Sequence, residues 1–131
     1  MPQTLAAITL LVRDYDEARR FYVEALGFDL VEDTPLSETK RRLRVAPPGS
    51  ATCLLLAKAA DAAQAAAVGV QAGGRVFLFL ETDDFDRDHA RYLAAGVIFR
   101  EPPRQESYGK VAVFEDLYGN PWDLIERRRE G

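Results

Sequence analysis

LLVRDYD at residues 10–16 recurs 70 residues later, in altered form, as LETDDFD at residues 80–86, and this pair of stretches indicates how the chain is organised. Asp14 aligns with Asp84 in this comparison, and an aromatic residue follows each of them. Self-similarity at a fixed offset indicates an internal repeat. We therefore predict that the chain consists of two related halves.

The repeat continues beyond these stretches with one change of spacing. Gly27 aligns with Gly96 only after a gap of one residue, whereas the earlier positions keep the constant offset of 70. A length of 131 residues suits one domain, because domains commonly have about 100–150 residues. We predict a single domain, 1–131, with a first module at about 1–70 and a second at about 71–131.

Both halves show the same order of predicted elements. An apolar strand opens each half, an aspartate caps the helix that follows, and a glycine ends that helix. Three more strands complete each half. The predicted strands are 5–12, 28–32, 40–46 and 52–57 in the first half, and 75–81, 97–101, 110–115 and 122–126 in the second. The link at 58–74 is predicted to hold a helical turn. This order predicts an α+β fold of two tandem β-α-β-β-β modules.

The charge and the residue counts exclude several classes of protein. Seventeen Lys and Arg residues stand against 21 Asp and Glu residues, a net charge of −4 that argues against a nucleic-acid partner. One Cys and one His exclude a disulfide framework and most His-based metal sites. No stretch reaches the roughly 20 apolar residues that span a membrane, so we expect a cytoplasmic protein with no membrane contact.

Two motifs resemble a known superfamily. VxD at 12–14 leading to FYxxxLGF at 21–28, and VFxDxxGNxxDLIE at 113–126, resemble the two module signatures of the vicinal oxygen chelate superfamily. That superfamily contains glyoxalase I, extradiol dioxygenases, fosfomycin-resistance enzymes and bleomycin-resistance proteins. The resemblance implies paired modules whose curved mixed sheets form a cup, commonly completed in a homodimer.

The resemblance also implies where a metal ion would bind. Metal-dependent members carry a His in the first strand of each module, at the positions of Ala7 and Phe77 here, and a carboxylate in the last strand, at the positions of Cys53 and Asp123. A catalytic zinc needs about three protein ligands. Since Ala7 and Phe77 offer no donor atom, we expect no metal ion and no other cofactor.

The same alignment predicts the lining of the cup. Strand side chains alternate between faces, so residues two positions from the four metal-box positions share their side. The predicted ligand contacts of this kind are Thr9, Cys53, Leu55, Phe77 and Phe79. An apolar lining suits a small, partly apolar organic ligand. The pattern leaves open whether Phe77 and Phe79 line a pocket or plug it.

Asp123 is the candidate catalytic residue. A carboxylate beside Phe77 and Cys53 is expected to have a raised pKa, because burial disfavours its charged form. It would then act as a general base or acid, or as a polar anchor for a ligand; the alternative is a structural pairing with an arginine.

Two further ligand contacts are predicted from polar segments. The run KRRLR at 40–44 offers guanidinium groups for a ligand carboxylate or phosphate, and we expect acidic residues to neutralise two of the arginines and Arg44 to contact the ligand. The segment 104–110 is predicted to close over the ligand as a loop, with Tyr108 as its contact.

The sequence thus predicts a small-molecule-binding protein with a metal-free cup, similar to the bleomycin-resistance proteins. Two alternatives stay open. One is a metal-dependent lyase, isomerase or dioxygenase of the same superfamily, and the other is a cofactor-free proton-transfer enzyme that uses Asp123.

Overall fold

The computed structural model describes residues 2–128 of the chain. The chain divides into two compact units, Met1–Gly69 and Val70–Gly131. The first unit contains β1 (Ala7–Val12), α1 (Tyr15–Arg20) with a π-helical continuation (Phe21–Ala25), β2 (Asp29–Pro35), β3 (Arg41–Ala46), β4 (Cys53–Lys58) and α2 (Ala62–Ala67). The second unit contains β5 (Leu78–Glu81), α3 (Phe85–Ala94), β6 (Arg104–Glu106), β7 (Gly109–Glu115) and β8 (Pro121–Arg127). The predicted α+β fold of two tandem β-α-β-β-β modules is confirmed, whereas the single-domain organisation stays a prediction.

The first unit is a mixed sheet covered on one face by its helix. Its strand order is β1-β4-β3-β2, with β1 and β4 parallel and the other pairs antiparallel. Apolar residues of alternating strand positions pack under α1, and each such large side chain contributes about 1.5–3 kcal/mol when buried. The buried set comprises Leu10, Val12, Leu43, Val45, Leu54 and Leu56 of the strands with Tyr15, Ala18 and Tyr22 of the helix.

The second unit repeats this arrangement with a more aromatic core. Its strand order is β5-β8-β7-β6, and β5 and β8 are parallel. Tyr92 of α3 meets Phe114 edge-on with ring centroids 5.3 Å apart, and Phe114 stacks on Trp122 at 5.7 Å. Trp122 therefore points to the helix side of the sheet, as strand alternation predicts for a neighbour of Asp123.

The aspartate of each repeat caps its helix as predicted. Asp14 Oδ2 accepts a hydrogen bond from the amide of Glu17 at 2.9 Å, and Asp84 Oδ1 accepts one from the amide of Arg87 at 3.1 Å. These bonds satisfy amides that have no partner within the first turn of a helix.

The one-residue gap between the repeats lies in the π-helical continuation of α1. There the amide of Leu26 donates to the carbonyl of Phe21, five residues earlier, at 3.1 Å. After this turn, the amide of Phe28 donates a hydrogen bond to the carbonyl of Tyr22, six residues earlier. At the equivalent position of the second unit, the amide of Val97 donates to the carbonyl of Tyr92, which is only five residues earlier. The first unit thus absorbs its extra residue by widening one helical turn.

The second strand of the second unit lies later than predicted. Residues 97–101 form only an isolated bridge, between Phe99 and Phe114, and the strand proper is β6 at Arg104–Glu106. Pro102 and Pro103 separate the two segments. Because proline has no amide hydrogen, pairing with β7 is interrupted there and resumes at Arg104. The prediction of a loop over residues 104–110 is therefore wrong, since this segment is β6, a tight turn and the start of β7.

Candidate functional site

In the first unit, four predicted ligand contacts lie together on the sheet face opposite α1. Thr9 is the register partner of Leu55, and Leu55 is also the partner of Arg44 on its other side. Cys53 lies two residues before Leu55 on the same strand and pairs with Ala7. The strand register therefore brings Thr9, Arg44, Cys53 and Leu55 onto one face.

Glu32 on β2 holds the guanidinium of Arg44. Arg44 Nε and Nη2 lie 2.9 and 2.8 Å from Glu32 Oε1, and Nη1 lies 3.9 Å from Cys53 Sγ. The pKa of Glu32 is lowered, first by the hydrogen bond from the Thr34 hydroxyl and then by Arg44. Arg44 thus has a carboxylate partner within its own sheet, and its contact with a ligand stays a prediction.

A groove of about 700 Å³ opens on the first unit where the pairing of β3 with β4 ends. The paired positions run from Val45 with Leu54 to Leu43 with Leu56, and the start of β3 and the end of β4 continue past them. The lining of the groove combines apolar and cationic side chains. It consists of Tyr15, Leu36, Thr39, Lys40, Arg41, Arg42, Leu55, Ala57, Lys58, Ala59, Ala60 and Gln64.

In the second unit, Asp123 lies in the middle of β8 between two apolar neighbours. Its register partners are Phe79 on β5 and Val113 on β7. The residue is only 8% exposed, and its Oδ1 atom is buried without a hydrogen-bond partner among the described residues. Burying a polar oxygen unpaired costs about 1–3 kcal/mol, so this atom lowers the stability of the fold.

Burial is the main influence on the acidity of Asp123. It raises the pKa of the carboxyl, Arg104 acts in the opposite direction, and Glu101 raises it further. The direction of this pKa shift, and burial as its main cause, agree with the expectation from the sequence. Arg104 itself donates to Glu101 at 2.9 Å and to Glu106 at 2.7 Å, so its charge is largely satisfied by those two carboxylates.

The other predicted contacts of the second unit have distinct surroundings. Phe79 is 66% exposed, which argues against its plugging a core. Phe77, half-buried, meets Trp122 edge-on at 6.3 Å. Tyr108 is exposed in the turn between β6 and β7, and its carbonyl accepts from the amide of Arg128 at 2.8 Å. The roles of these three residues in ligand binding stay predictions.

Three residues of the candidate site were not predicted from the sequence: Lys40 and Lys58, which line the groove, and Glu101, which acts on Asp123. The lysines are 18 positions apart, but antiparallel pairing puts the start of β3 next to the end of β4. The signal was present, since Lys40 opens the basic run and Lys58 ends the next strand. Glu101 could not be found from spacing, because it lies between elements.

The side chains at the superfamily's metal positions do not fit a metal ion. Ala7 and Phe77 have no donor atom, and Cys53 and Asp123 leave at most two donors where a catalytic zinc needs about three. Within residues 2–128, no group of three or more His, Cys, Asp or Glu side chains converges. His89, the one histidine, lies half-buried against Phe85 and Phe99 with ring-centroid distances of 5.4 and 4.4 Å.

Comparison with known proteins relates the whole chain to one superfamily. Residues 4–124 match the family described as Glyoxalase/Bleomycin resistance protein/Dioxygenase superfamily. An uncharacterised protein of Shewanella frigidimarina is 56% identical over 128 residues, which cover 96% of this chain and 95% of that protein. In the part of the chain that the structure describes, no helix is both long and apolar enough to cross a membrane.

Solved structures agree with this relationship. UcmS2 is 30% identical with a TM-score of 0.83, and the match covers 95% of this chain and 98% of that one. TnmS3, described as an antibiotic binding protein from Streptomyces sp. CB03234, is 33% identical with a TM-score of 0.78, covering 97% and 98%. With a family match over nearly its full length, and with the βαβββ repeat in each of its units, the chain belongs to the glyoxalase/bleomycin resistance protein/dioxygenase superfamily.

Proposed function

We propose that this protein binds a small, partly apolar organic molecule without the help of a metal ion. The observation that carries the proposal is the groove of about 700 Å³ beside Leu55 and Ala57. Pockets for drug-sized ligands commonly measure about 300–1,000 Å³ and combine apolar walls with a few polar groups. The groove meets both conditions.

Two further observations support the proposal. The likeness to TnmS3, an antibiotic binding protein, extends over 97% of this chain. In addition, the buried Oδ1 of Asp123 has no hydrogen-bond partner among the described residues, and its strand neighbour Phe79 exposes an apolar ring. Specific binding of an organic molecule uses this combination, because apolar contact supplies affinity and a few polar groups fix orientation.

The test is a fluorescence titration with N-phenyl-1-naphthylamine, an uncharged aromatic probe. We expect saturable binding of one equivalent. Leu55→Gln removes apolar lining worth about 1–1.5 kcal/mol and should weaken binding roughly tenfold. Leu117→Gln is the matched control, since Leu117 is an exposed leucine outside the groove lining and the variant should bind like the wild type. Absence of saturable binding, or equal loss in both variants, would contradict the proposal.

A separate experiment tests whether the protein binds a metal ion. The protein is incubated with Zn, Ni, Mn and Fe salts, passed through a desalting column and analysed for metal. Less than a tenth of an equivalent is expected. One firmly bound equivalent would instead favour a metal-dependent lyase, isomerase or dioxygenase.

Cofactor-free proton transfer is a second candidate function, favoured by the raised pKa and the unpaired oxygen of Asp123. Carbon-13 NMR of the labelled carboxyl should show a titration above the ordinary value of about 4. An ordinary titration would remove the reason for this candidate.

The proposal also includes the oligomeric state and the cellular location of the protein. Superfamily membership supports a homodimer, and light scattering is expected to give about twice the chain mass of 14.6 kDa. We also propose a cytoplasmic location, which fractionation of the source cells would check.

A further inference from the structure

The groove of the first unit carries a concentration of positive charge. Four of its twelve lining residues are cations, Lys40, Arg41, Arg42 and Lys58, and none is an aspartate or a glutamate. The chain as a whole has a net charge of −4. A cleft lined by one sign of charge attracts ligands of the opposite sign.

The cations of the groove differ in how far protein carboxylates already neutralise them. Arg41 donates to Asp33 at 3.0 and 2.7 Å and to Asp16 at 2.7 Å, so it is a fixed part of the wall. Arg42 has one distant partner, Glu32, at 3.7 Å. Glu32 is itself closer to Arg44, at 2.8 Å, which leaves Arg42 weakly compensated.

The two lysines are the least compensated cations of the groove. Within residues 2–128, neither Lys40 nor Lys58 forms an ion pair with a carboxylate. They come from the two strands that bound the groove, because Lys40 directly precedes β3 and Lys58 ends β4. An anion in the groove at this end of the strand pair would thus meet a cation from each strand.

Apolar surface lies next to these charges in the same groove. Leu55 and Ala57 alternate with Leu56 and Lys58 along β4, and both are half-buried. Tyr15 contributes a ring, whose hydroxyl accepts from the amide of Arg41 at 3.3 Å. The groove therefore combines an apolar floor with a cationic end.

We propose that the ligand of this groove is an organic anion, with its carboxylate, sulfonate or phosphate group between Lys40, Arg42 and Lys58 and its apolar body on Leu55 and Ala57. This inference rests on the proposed function, whose ligand class it narrows. Flexible lysines suit such a group because each ammonium can adjust its three donors to an anion of unspecified geometry.

The experiment compares two dyes that share one aromatic body. 1-Anilinonaphthalene-8-sulfonate carries a sulfonate, and N-phenyl-1-naphthylamine lacks it. At low ionic strength we expect the sulfonate dye to bind roughly tenfold more tightly, and this advantage should shrink as salt is added, since these cations are solvent-accessible. Both dyes are titrated into the full-length protein.

The variant K40Q/K58Q tests the position of the anion. It should weaken binding of the sulfonate dye roughly tenfold and leave binding of the neutral dye within about twofold. The control R20Q/R91Q removes the same charge from exposed helix positions outside the groove and should leave both affinities unchanged. Circular dichroism verifies that both variants are folded.

Each outcome has a distinct meaning. If the neutral dye binds and the sulfonate dye binds no more tightly, the anion inference is wrong while the proposed function stands. If the control weakens the sulfonate dye as much as K40Q/K58Q does, net charge rather than the groove is responsible, and the inference is again overturned. If neither dye binds, the proposed function fails and the inference fails with it.

Discussion

Replacing Asp123 by leucine should stabilise the protein at neutral pH. The substitution removes a buried carboxylate oxygen that has no partner among the described residues, and this should recover about 1–3 kcal/mol. It also removes the attraction to Arg104, whose side chain is 39% exposed, and such a pair is worth at most about 1 kcal/mol. The net gain is about 1–2 kcal/mol, with a rise in Tm of about 4–7 °C.

The stability gained by replacing Asp123 with leucine should be larger at neutral pH than at acidic pH. Because burial raises the pKa of Asp123 in the folded protein, the wild-type carboxyl is best tolerated while it is protonated, below the pKa of the unfolded chain. Its contribution to the free energy of unfolding is lost as the pH rises through the folded-state pKa. The advantage of the leucine variant should therefore be greatest at pH 7 and shrink towards the acidic range.

Urea unfolding, followed by the fluorescence of Trp122, measures this advantage at pH 7 and at pH 4. Trp122 is the single tryptophan and is buried in the second unit, so its emission reports directly on the unit that contains Asp123. Asp29→Leu is the control, because Asp29 is exposed on β2 and its replacement should change stability by less than about 0.5 kcal/mol. A leucine variant less stable than the wild type at pH 7, or an advantage independent of pH, would refute the reasoning.

Three further predictions concern other residues. Asp116→Ala should lower the free energy of unfolding by about 3–5 kcal/mol, measured by thermal denaturation, because it removes a buried carboxylate that accepts four hydrogen bonds. The donors are the amides of Tyr118 and Asn120, the Asn120 side chain and the Trp122 indole. Gly109→Ala should prevent normal pairing of β7 with β8, because its Cβ would meet the backbone carbonyl of Glu126, whereas Gly49→Ala has open space and should cost only about 1–2 kcal/mol. Equal urea midpoints for the two alanine variants would count against that explanation. Phe79→Ser should change the free energy of unfolding by less than about 0.5 kcal/mol, measured by urea denaturation, since the ring is exposed; a larger loss would show that the ring packs into the second unit.

The sequence predicted those parts of the fold that local chemistry controls. The caps at Asp14 and Asp84 follow from the need to satisfy free amides, and the order of elements in each half follows from the repeat. β6 was not predicted, because Arg104–Glu106 has no apolar alternation and becomes a strand only through its pairing with β7.

The same distinction applies to the candidate site. The raised pKa of Asp123 was predictable, because burial on an apolar strand disfavours the charged carboxylate, although its register partners are Phe79 and Val113 and not Phe77 or Cys53. The groove could not be predicted, because it depends on where the pairing of β3 with β4 stops. No periodicity in the sequence indicates that point.

The wide turn at Phe21–Ala25 accounts for the one-residue difference between the two halves at this point. If both modules descend from one duplicated ancestor, a single codon was gained in the first copy or lost from the second. The helix accommodated this change within one ring of hydrogen bonds, so the strands that follow kept their partners and their facing. We therefore expect this helix to accept the gain or loss of one residue more readily than the strands would, since a one-residue shift in a strand turns its side chains to the other face.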